Sequence, residues 1–336
     1  MKKFLSISAL ALVAGTAAQA ETFTISWWGY NGEKLQANII EPFQEICGCE
    51  VQFETGNNAD RLGKLAARGG KGVDVIYLAD SFSQQGIEQG LFQEIDASKL
   101  SNLSNIYELA RNPQGAYGPA YTLGRVGIVY DSARVQPLTS WNDLWREDLK
   151  SAVTLPGITT TAGPMMVTLA GAHAGVDAYE DQDGAFAAIE ALKVNSAKNY
   201  NTGSEMVNLI STGEAAVAVS QDFTFASLKE AVPTMVWAEL TDGDIATVNT
   251  VNIPVGSENT ELAYKFIDFI LSLEVQQKNA EQGVDAPVNN GVTLTEEQAA
   301  GWTYGDKIAT LKGVDYVKMN AAKMEWIDRW NEIFGM

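Results

Sequence analysis

Two kinds of side chain in this sequence have the chemistry to hold a cation. Trp27, Trp28 and Tyr30 crowd three aromatic rings into "SWWGY", and such rings attract ammonium groups by roughly 0.5 to 2 kcal/mol, most where water is excluded. Asp80 and Asp222 close the apolar runs "VDVIYLAD" and "AAVAVSQD", where a carboxylate left without a partner would face open space. Ser81, Thr161, Gln221, Thr247 and Asn249 supply uncharged hydrogen-bonding groups in the same kind of position. Together these residues suit a small amine. Arg125, in "YTLGRVG", could meet a carboxylate on an amino-acid-like ligand, against a surface or interdomain salt bridge as its plainer use. Catalysis is not what the chain offers. A nucleophile needs a base, and the one histidine, His173, lies in the apolar "TLAGAHAG" and reads as structural, with no GxSxG, P-loop or GxGxxG element nearby. No enzyme activity, cofactor or metal site is therefore expected.

The amino terminus sets the compartment. "MKKFLSISALALVAGTAAQA" has two lysines, an apolar run and a small-x-small end at Ala18, Gln19 and Ala20, the pattern of a secretory signal peptide cleaved after Ala20. Its apolar run is shorter than the roughly 20 residues that span a bilayer. A soluble periplasmic protein is expected. The formal net charge of -19, with 42 acidic against 23 basic residues, repels nucleic acid and anionic lipid, and Lys2 and Lys3 leave with the signal. Cys47 and Cys49, in "FQEICGCEV", read first as a disulfide in an oxidising compartment. A metal site would need further ligands, and two free buried thiols are the third option.

The elements that must position the candidate residues alternate between strand and helix. "TFTIS", "CEVQFETG" and "VDVIYLAD" are strands, separated and followed by helices over "EKLQANIIEPFQEI", "NADRLGKLAARG" with Asn58 as its cap, and "SFSQQGIEQGLF". The rhythm returns with "SAVTLP", "GPMMVTLAGAHAG", "AFAAIEALKV", "EMVNLISTG", "AAVAVSQD" and "FASLKEAV". Such βαβ repetition builds mainly parallel sheets covered by helices. Two long β-prone runs, "TLGRVGIVYD" and "ATVNTVNIPVG", carry the chain between the two α/β units, and a pair of crossing strands makes a hinge.

In open parallel sheets ligands sit beyond the carboxyl ends of the strands. That rule gathers Trp27, Trp28, Tyr30, Asp80 and Ser81 on one wall, with Thr161, the "NTGSE" segment, Gln221 and Asp222 on the other. Thr247 and Asn249 fall on the returning hinge strand. Each has a plainer use. Asp80 or Ser81 could cap the following helix, and Ser204 and Glu205 the helix after "NTG". Trp141 and Trp145, like Trp326 and Trp330, are spaced four apart and read as core.

At this point the chain resembles a known family. "SWWGY", "YLADSFSQQGIEQGLFQEID", "YTLGRVGIVYD", "SWNDLW", "STGEAAVAV" and "NTVNIPVGSENTELAYKFIDFILSLEVQ", in this order and spacing, are similar to the periplasmic solute-binding proteins of ABC importers, especially the spermidine/putrescine-binding branch. The resemblance implies a two-lobed, type II periplasmic-binding-protein fold. Lobe one would take 21–125 and 252–300, and lobe two 126–251 with the tail 301–336. It also implies a monomer that captures a small solute between its lobes and hands it to an inner-membrane permease. Relatives place a tryptophan and a tyrosine where Trp27 and Tyr30 stand. They carry an acidic residue where this chain has Asn249, a stacking tryptophan at Thr247, and an acidic pair at the uncharged "TTTAGP". Those losses weaken the case for a dication and leave open a monoamine, a zwitterion, an anionic solute such as a carboxylate or phosphonate, or ferric iron, the last disfavoured because Tyr200 stands alone.

Overall fold

A computed structural model describes residues 21–27, 29, 32–299 and 302–335; the signal segment, Trp28 and Tyr30 lie outside the described residues. Three strands, β1 (Thr22–Trp27), β2 (Glu50–Thr55) and β3 (Val75–Ala79), pair in parallel, with β1 in the middle. All five residues of β3 are buried, which is why its sequence is an unbroken apolar run rather than an alternation. A second parallel group is formed by β5 (Val153–Pro156), β6 (Ser196–Tyr200) and β7 (Val217–Gln221), with β5 central.

Two long strands join the groups. β4 (Ala120–Asp131) runs antiparallel to β9 (Ile245–Asn252) from Ala120 opposite Thr250 to Val126 opposite Ile245. Beyond that point β4 pairs with β7, from Val126 opposite Gln221 to Tyr130 opposite Val217. On its other side β9 pairs antiparallel with β3, and the short β8 (Met235–Trp237) lies against the end of β4. The result is one nine-stranded sheet, β2-β1-β3-β9-β4-β7-β5-β6 with β8 to the side, parallel at its flanks and antiparallel through the crossing ribbon.

The apolar side chains divide along the same line. One core gathers Phe23, Phe43, Tyr77 and Phe266, and reaches Leu123 on β4 and Val248 on β9. Another gathers Trp141, Val217, Trp326 and Trp330, and begins at Val126 on β4 and Ile245 on β9. Both crossing strands therefore belong to both cores. The carboxyl-terminal segment also divides: Ile308 packs in the first core, whereas Met319, Trp326 and Trp330 of the helix Tyr316–Phe334 pack in the second.

Local details correct three expectations. The run expected as one helix after β1 contains a π-helical turn over Gln36–Ile40, between helical turns at Gly32–Leu35 and Glu41–Cys47. Pro42 has no N–H to offer the carbonyl of Asn38, and a widened turn accommodates the missing bond. The helix Asn58–Ala67 is capped by Asn57, whose side chain accepts from the Asp60 N–H, because Asn57 is extended and Asn58 already helical. Helix Gly203–Ser211 is capped by Thr202, with Glu205 returning the bond as the other half of a capping box. Trp141 and Trp145 lie on a 3-10 turn, and Trp145 stacks on His173 with centroids 4.0 Å apart. That contact gives the histidine a packing role.

Cys47 and Cys49 form a disulfide across Gly48. A loop of three residues restricts the unfolded chain by only about 1.5 kcal/mol. Replacing both cysteines with serine should lower stability by about that amount in a urea titration; a loss several times larger would mean that the bridge holds the neighbouring helix end in place.

Candidate functional site

The carboxyl ends of five parallel strands open on one cleft. Asn57 and Asn58 follow β2 and Phe82 follows β3; Thr159, Thr160 and Thr161 follow β5, Asn201 follows β6, and Gln221, Phe223 and Thr224 end or follow β7. The cleft has a volume of about 420 Å³, in the range of pockets that take small molecules. Its two sides come from the two groups of strands that the β4–β9 ribbon joins.

Among the described residues no charged side chain lines this cleft. Its walls carry amides, hydroxyls and aromatic rings, of which Phe223 is 65 % exposed. The helices Asn58–Ala67, Gly163–Ala174 and Gly203–Ser211 all begin here, adding the partial positive charge of helix N-termini. One amide of each is already bonded, to Asn57, Thr160 and Thr202 respectively.

The residues selected by sequence are distributed unevenly. Thr161 and Gln221 line the cleft. Asp80 does not. Its carboxylate accepts from the backbone N–H of Val248 on β9 and from Ser81 N–H, both at 2.9 Å, with Tyr316 of the last helix nearby. It joins the first core to the hinge strand and the last helix. Burial outweighs those bonds and raises its pKa to about 6. Ser81 is buried beside it, its carbonyl accepting from Asn320.

Asp222 is also turned inward. Its carboxylate accepts from Thr303 Oγ1 at 2.5 Å, and burial raises its pKa to about 6 despite that bond and the nearby charge of Arg125. A side chain on Gly124 would come within 2.7 Å of Thr247 Oγ1 and 2.9 Å of Asp222 Oδ1. Glycine is needed there so that β7's end can close over the ribbon. Thr247 is therefore hinge packing, while Asn249, paired with Ala79 and Thr122 in the ladder, is half-buried. Arg125 is committed to a protein carboxylate: its Nη1 is 2.9 Å from Asp244 and its guanidinium lies 4.4 Å from the Trp237 ring centre. The plainer reading of Arg125 is the one the structure realises.

Trp27 leaves β1 into the first core, 8 % exposed, with its ring 6.1 Å from Phe53. It lines a second, much smaller cavity with Tyr77, Tyr121, Gln276, Asn279 and Asp285. That space holds about 20 Å³, enough for one water-sized group. Burial raises the pKa of Asp285 to about 7.

Several of these residues escaped the sequence reading for identifiable reasons. Asn57 and Asn58 obey the strand-end rule that selected the other wall residues, applied here to β2. Phe223 follows Asp222 directly, and an aromatic after a strand end is a readable signal. Asp285 sits in "GVDAPVNN", a loop with no periodicity to orient it. Tyr200 lines the cleft but donates its hydroxyl to the Val219 carbonyl at 2.7 Å, which leaves it poorly placed as a metal ligand.

Two cores bridged by two strands, with a cleft where the strand ends meet, define a two-lobed solute receptor. The chain belongs to the bacterial extracellular solute-binding protein family, whose model matches residues 71–309. A crystallised ABC transporter protein from Clostridium perfringens is 40 % identical, with a TM-score of 0.88 over 93 % of this chain and 99 % of that one. The spermidine/putrescine-binding periplasmic protein of Salmonella typhimurium is 25 % identical over 300 residues, 84 % of this chain and 83 % of its own. A spermidine/putrescine ABC transporter substrate-binding protein from Streptococcus pneumoniae shares the fold at a TM-score of 0.76 and 20 % identity, covering 94 % of this chain and 100 % of that one. Among the described residues no helix is long and apolar enough to cross a membrane.

Proposed function

We propose that this chain captures a small amine-containing solute, a polyamine or an amino-acid-like compound, between two lobes and delivers it to the permease of an ABC importer. The observation that carries the reading is the cleft of about 420 Å³ walled by strand ends from both sides of the β4–β9 ribbon. Ligand that touches both walls binds the closed form better than the open one, and that difference in affinity is what shifts the population. The lobes are 21–125 with 252–300 and 126–251 with 301–336, apart from Ile308, which packs in the first core, and they are hinged where β4 and β9 pass between the cores. The signal segment 1–20 sends the protein to the periplasm, where it works as a monomer without a cofactor. The spermidine/putrescine-binding relatives support an amine, as do the aromatic rings at the cleft.

Three helix N-termini, on cleft walls whose described residues carry no charge, favour a second reading, an anionic solute such as a carboxylate or phosphonate. A thermal-shift screen over polyamines, ω-amino acids, betaines, aminophosphonates and Fe(III) separates the two, because a compound that binds only the folded state raises its melting temperature. Amines should give the shifts, and small-angle scattering should show compaction at saturation. Phe223→Ala should leave the melting temperature of the free protein unchanged and weaken the best amine about tenfold. A response to phosphonates alone would sink the amine reading, and absence of compaction with a saturating ligand would sink lobe closure.

A further inference from the structure

Hydrogen-bonding groups of both signs stand open on the walls of the main cleft. The side-chain amides of Gln221, at the end of β7, and Asn201, after β6, form no hydrogen bond with any described residue, and neither do the hydroxyls of Thr159 and Thr161 after β5. From the other lobe, Asn58 accepts with its Oδ1 from Arg61 Nη2 and from the Ala79 N–H, while its Nδ2 donates to no described residue. Water serves these groups while the cleft is open. Closure of the lobes over a solute displaces that water, and every group the solute leaves unpaired then costs what an unmade buried hydrogen bond costs. A carboxamide carries two N–H donors beside an acceptor oxygen, and a hydroxyl both donates and accepts. The walls therefore require donors and acceptors from the solute in the same space.

We infer that the solute is a hydroxyl-rich amine, an amino polyol or amino sugar, whose hydroxyls meet Gln221 and Asn201 on one wall and Asn58 on the other. The inference rests on the capture of an amine by this protein and specifies the rest of that molecule. An ammonium only donates and a carboxylate only accepts, so an alkyl diamine leaves the amide N–H groups bare and a simple anion leaves the amide oxygens bare. A row of hydroxyls supplies both at every carbon. Phe82 from one wall and Phe223 from the other suit the same molecule, because the C–H faces of a polyol chain are apolar and aromatic rings cover apolar surface. A space of about 420 Å³ admits a solute of hexose size. Among the described wall residues no side chain is charged, so the choice between amines of equal charge falls to these neutral groups.

Calorimetric titration of the full chain with glucamine, hexylamine, hexamethylenediamine and sorbitol, which share one carbon-chain length, tests this. Wild type should bind glucamine roughly tenfold or more tightly than hexylamine or the diamine, because a site built to hydrogen-bond its solute rejects analogues that lack the groups. Gln221→Met keeps the length of the side chain and removes the amide; it should weaken glucamine about tenfold and leave hexylamine and the melting temperature of the free protein unchanged. Asn201→Ala, at an exposed position, should act in the same direction and serves if Gln221→Met does not fold. Hexylamine or the diamine binding as tightly as glucamine would overturn the inference and leave amine capture standing. Equal affinity of wild type and both variants for glucamine would overturn it too, as would failure of wild type to bind glucamine at all. Sorbitol binding as tightly as glucamine would instead remove the amine reading and leave the hydroxyl-rich body in place.

Discussion

Replacing Arg61 with methionine should lower the folding free energy by about 3 to 5 kcal/mol and the melting temperature by about 10 °C. Arg61 is fully buried and no carboxylate accepts from it in the bonds that follow. Its Nη1 donates to the carbonyls of Ser26 at 3.1 Å and Tyr77 at 2.6 Å, its Nε to Gly56 at 2.9 Å, and its Nη2 to Asn58 Oδ1 at 3.0 Å. One planar fork thus ties the ends of β1 and β3 to the turn after β2 and to the helix that follows. Burial lowers its pKa to about 10, so it remains charged at neutral pH. Methionine fills the space but leaves several buried carbonyls unpaired, each a loss of about 1 to 3 kcal/mol. Lysine would recover little, because an ammonium on a flexible stem cannot reproduce the fork. Since Asn57 and Asn58 line the cleft, solute affinity should fall with stability. A urea titration in which the variant loses less than 1 kcal/mol would refute this account of the first lobe's wall.

The ligand-free protein should be several kcal/mol more stable at pH 5 than at pH 8. Burial raises the folded-state pKa of Asp80 and Asp222 to about 6 and of Asp285 to about 7, against roughly 3.9 in an unfolded chain. Between those limits the folded state binds more protons than the unfolded state, so stability falls as pH rises through 6 and 7. Each shift of two units is equivalent to about 3 kcal/mol. His173 opposes the trend: burial lowers its pKa, so the folded state binds fewer protons there and loses stability as pH falls below the unfolded value of roughly 6.5. It is one group against those three, and burial raises Asp244 as well. Urea midpoints at the two pH values measure the difference, and Asp285→Asn should remove the largest share of it. Stability that is equal or greater at pH 8 would show that these carboxylates are relieved by groups not yet identified.

What could be read from the sequence followed from how strongly local pattern constrains structure. The unbroken apolar run of β3 and the alternation ending in Gln221 announce their strands, and the strand-end rule then brings Thr161 and Gln221 to the cleft walls, where the structure has them. β6, in "SAKNY" with most of its residues exposed or half-buried, has no such pattern and forms because β5 offers it a partner. The two aspartates were placed at the right turns but given the wrong direction. Whether a carboxylate at a strand end faces the cleft or the hinge depends on Val248, Thr303 and Tyr316, residues 81 to 236 positions away that only tertiary structure brings there. Arg125 was legible only as two alternatives for the same reason, its partner Asp244 lying on the other crossing strand's approach.

The crossing ribbon also sets a timetable for folding. Lobe one has β1, β2 and β3 between residues 22 and 79, but the strand that completes their sheet, β9, starts at Ile245. Lobe two lies between, yet its core includes Trp326 and Trp330 from the last helix. As the chain emerges from a ribosome, neither core can close until nearly all of it is available, and contacts so distant in sequence form slowly. A fragment ending before residue 245 would expose the apolar faces of both sheets and be open to proteases and aggregation. The architecture therefore resists early folding, a property that keeps a nascent chain loose for as long as any machinery needs to handle it unfolded.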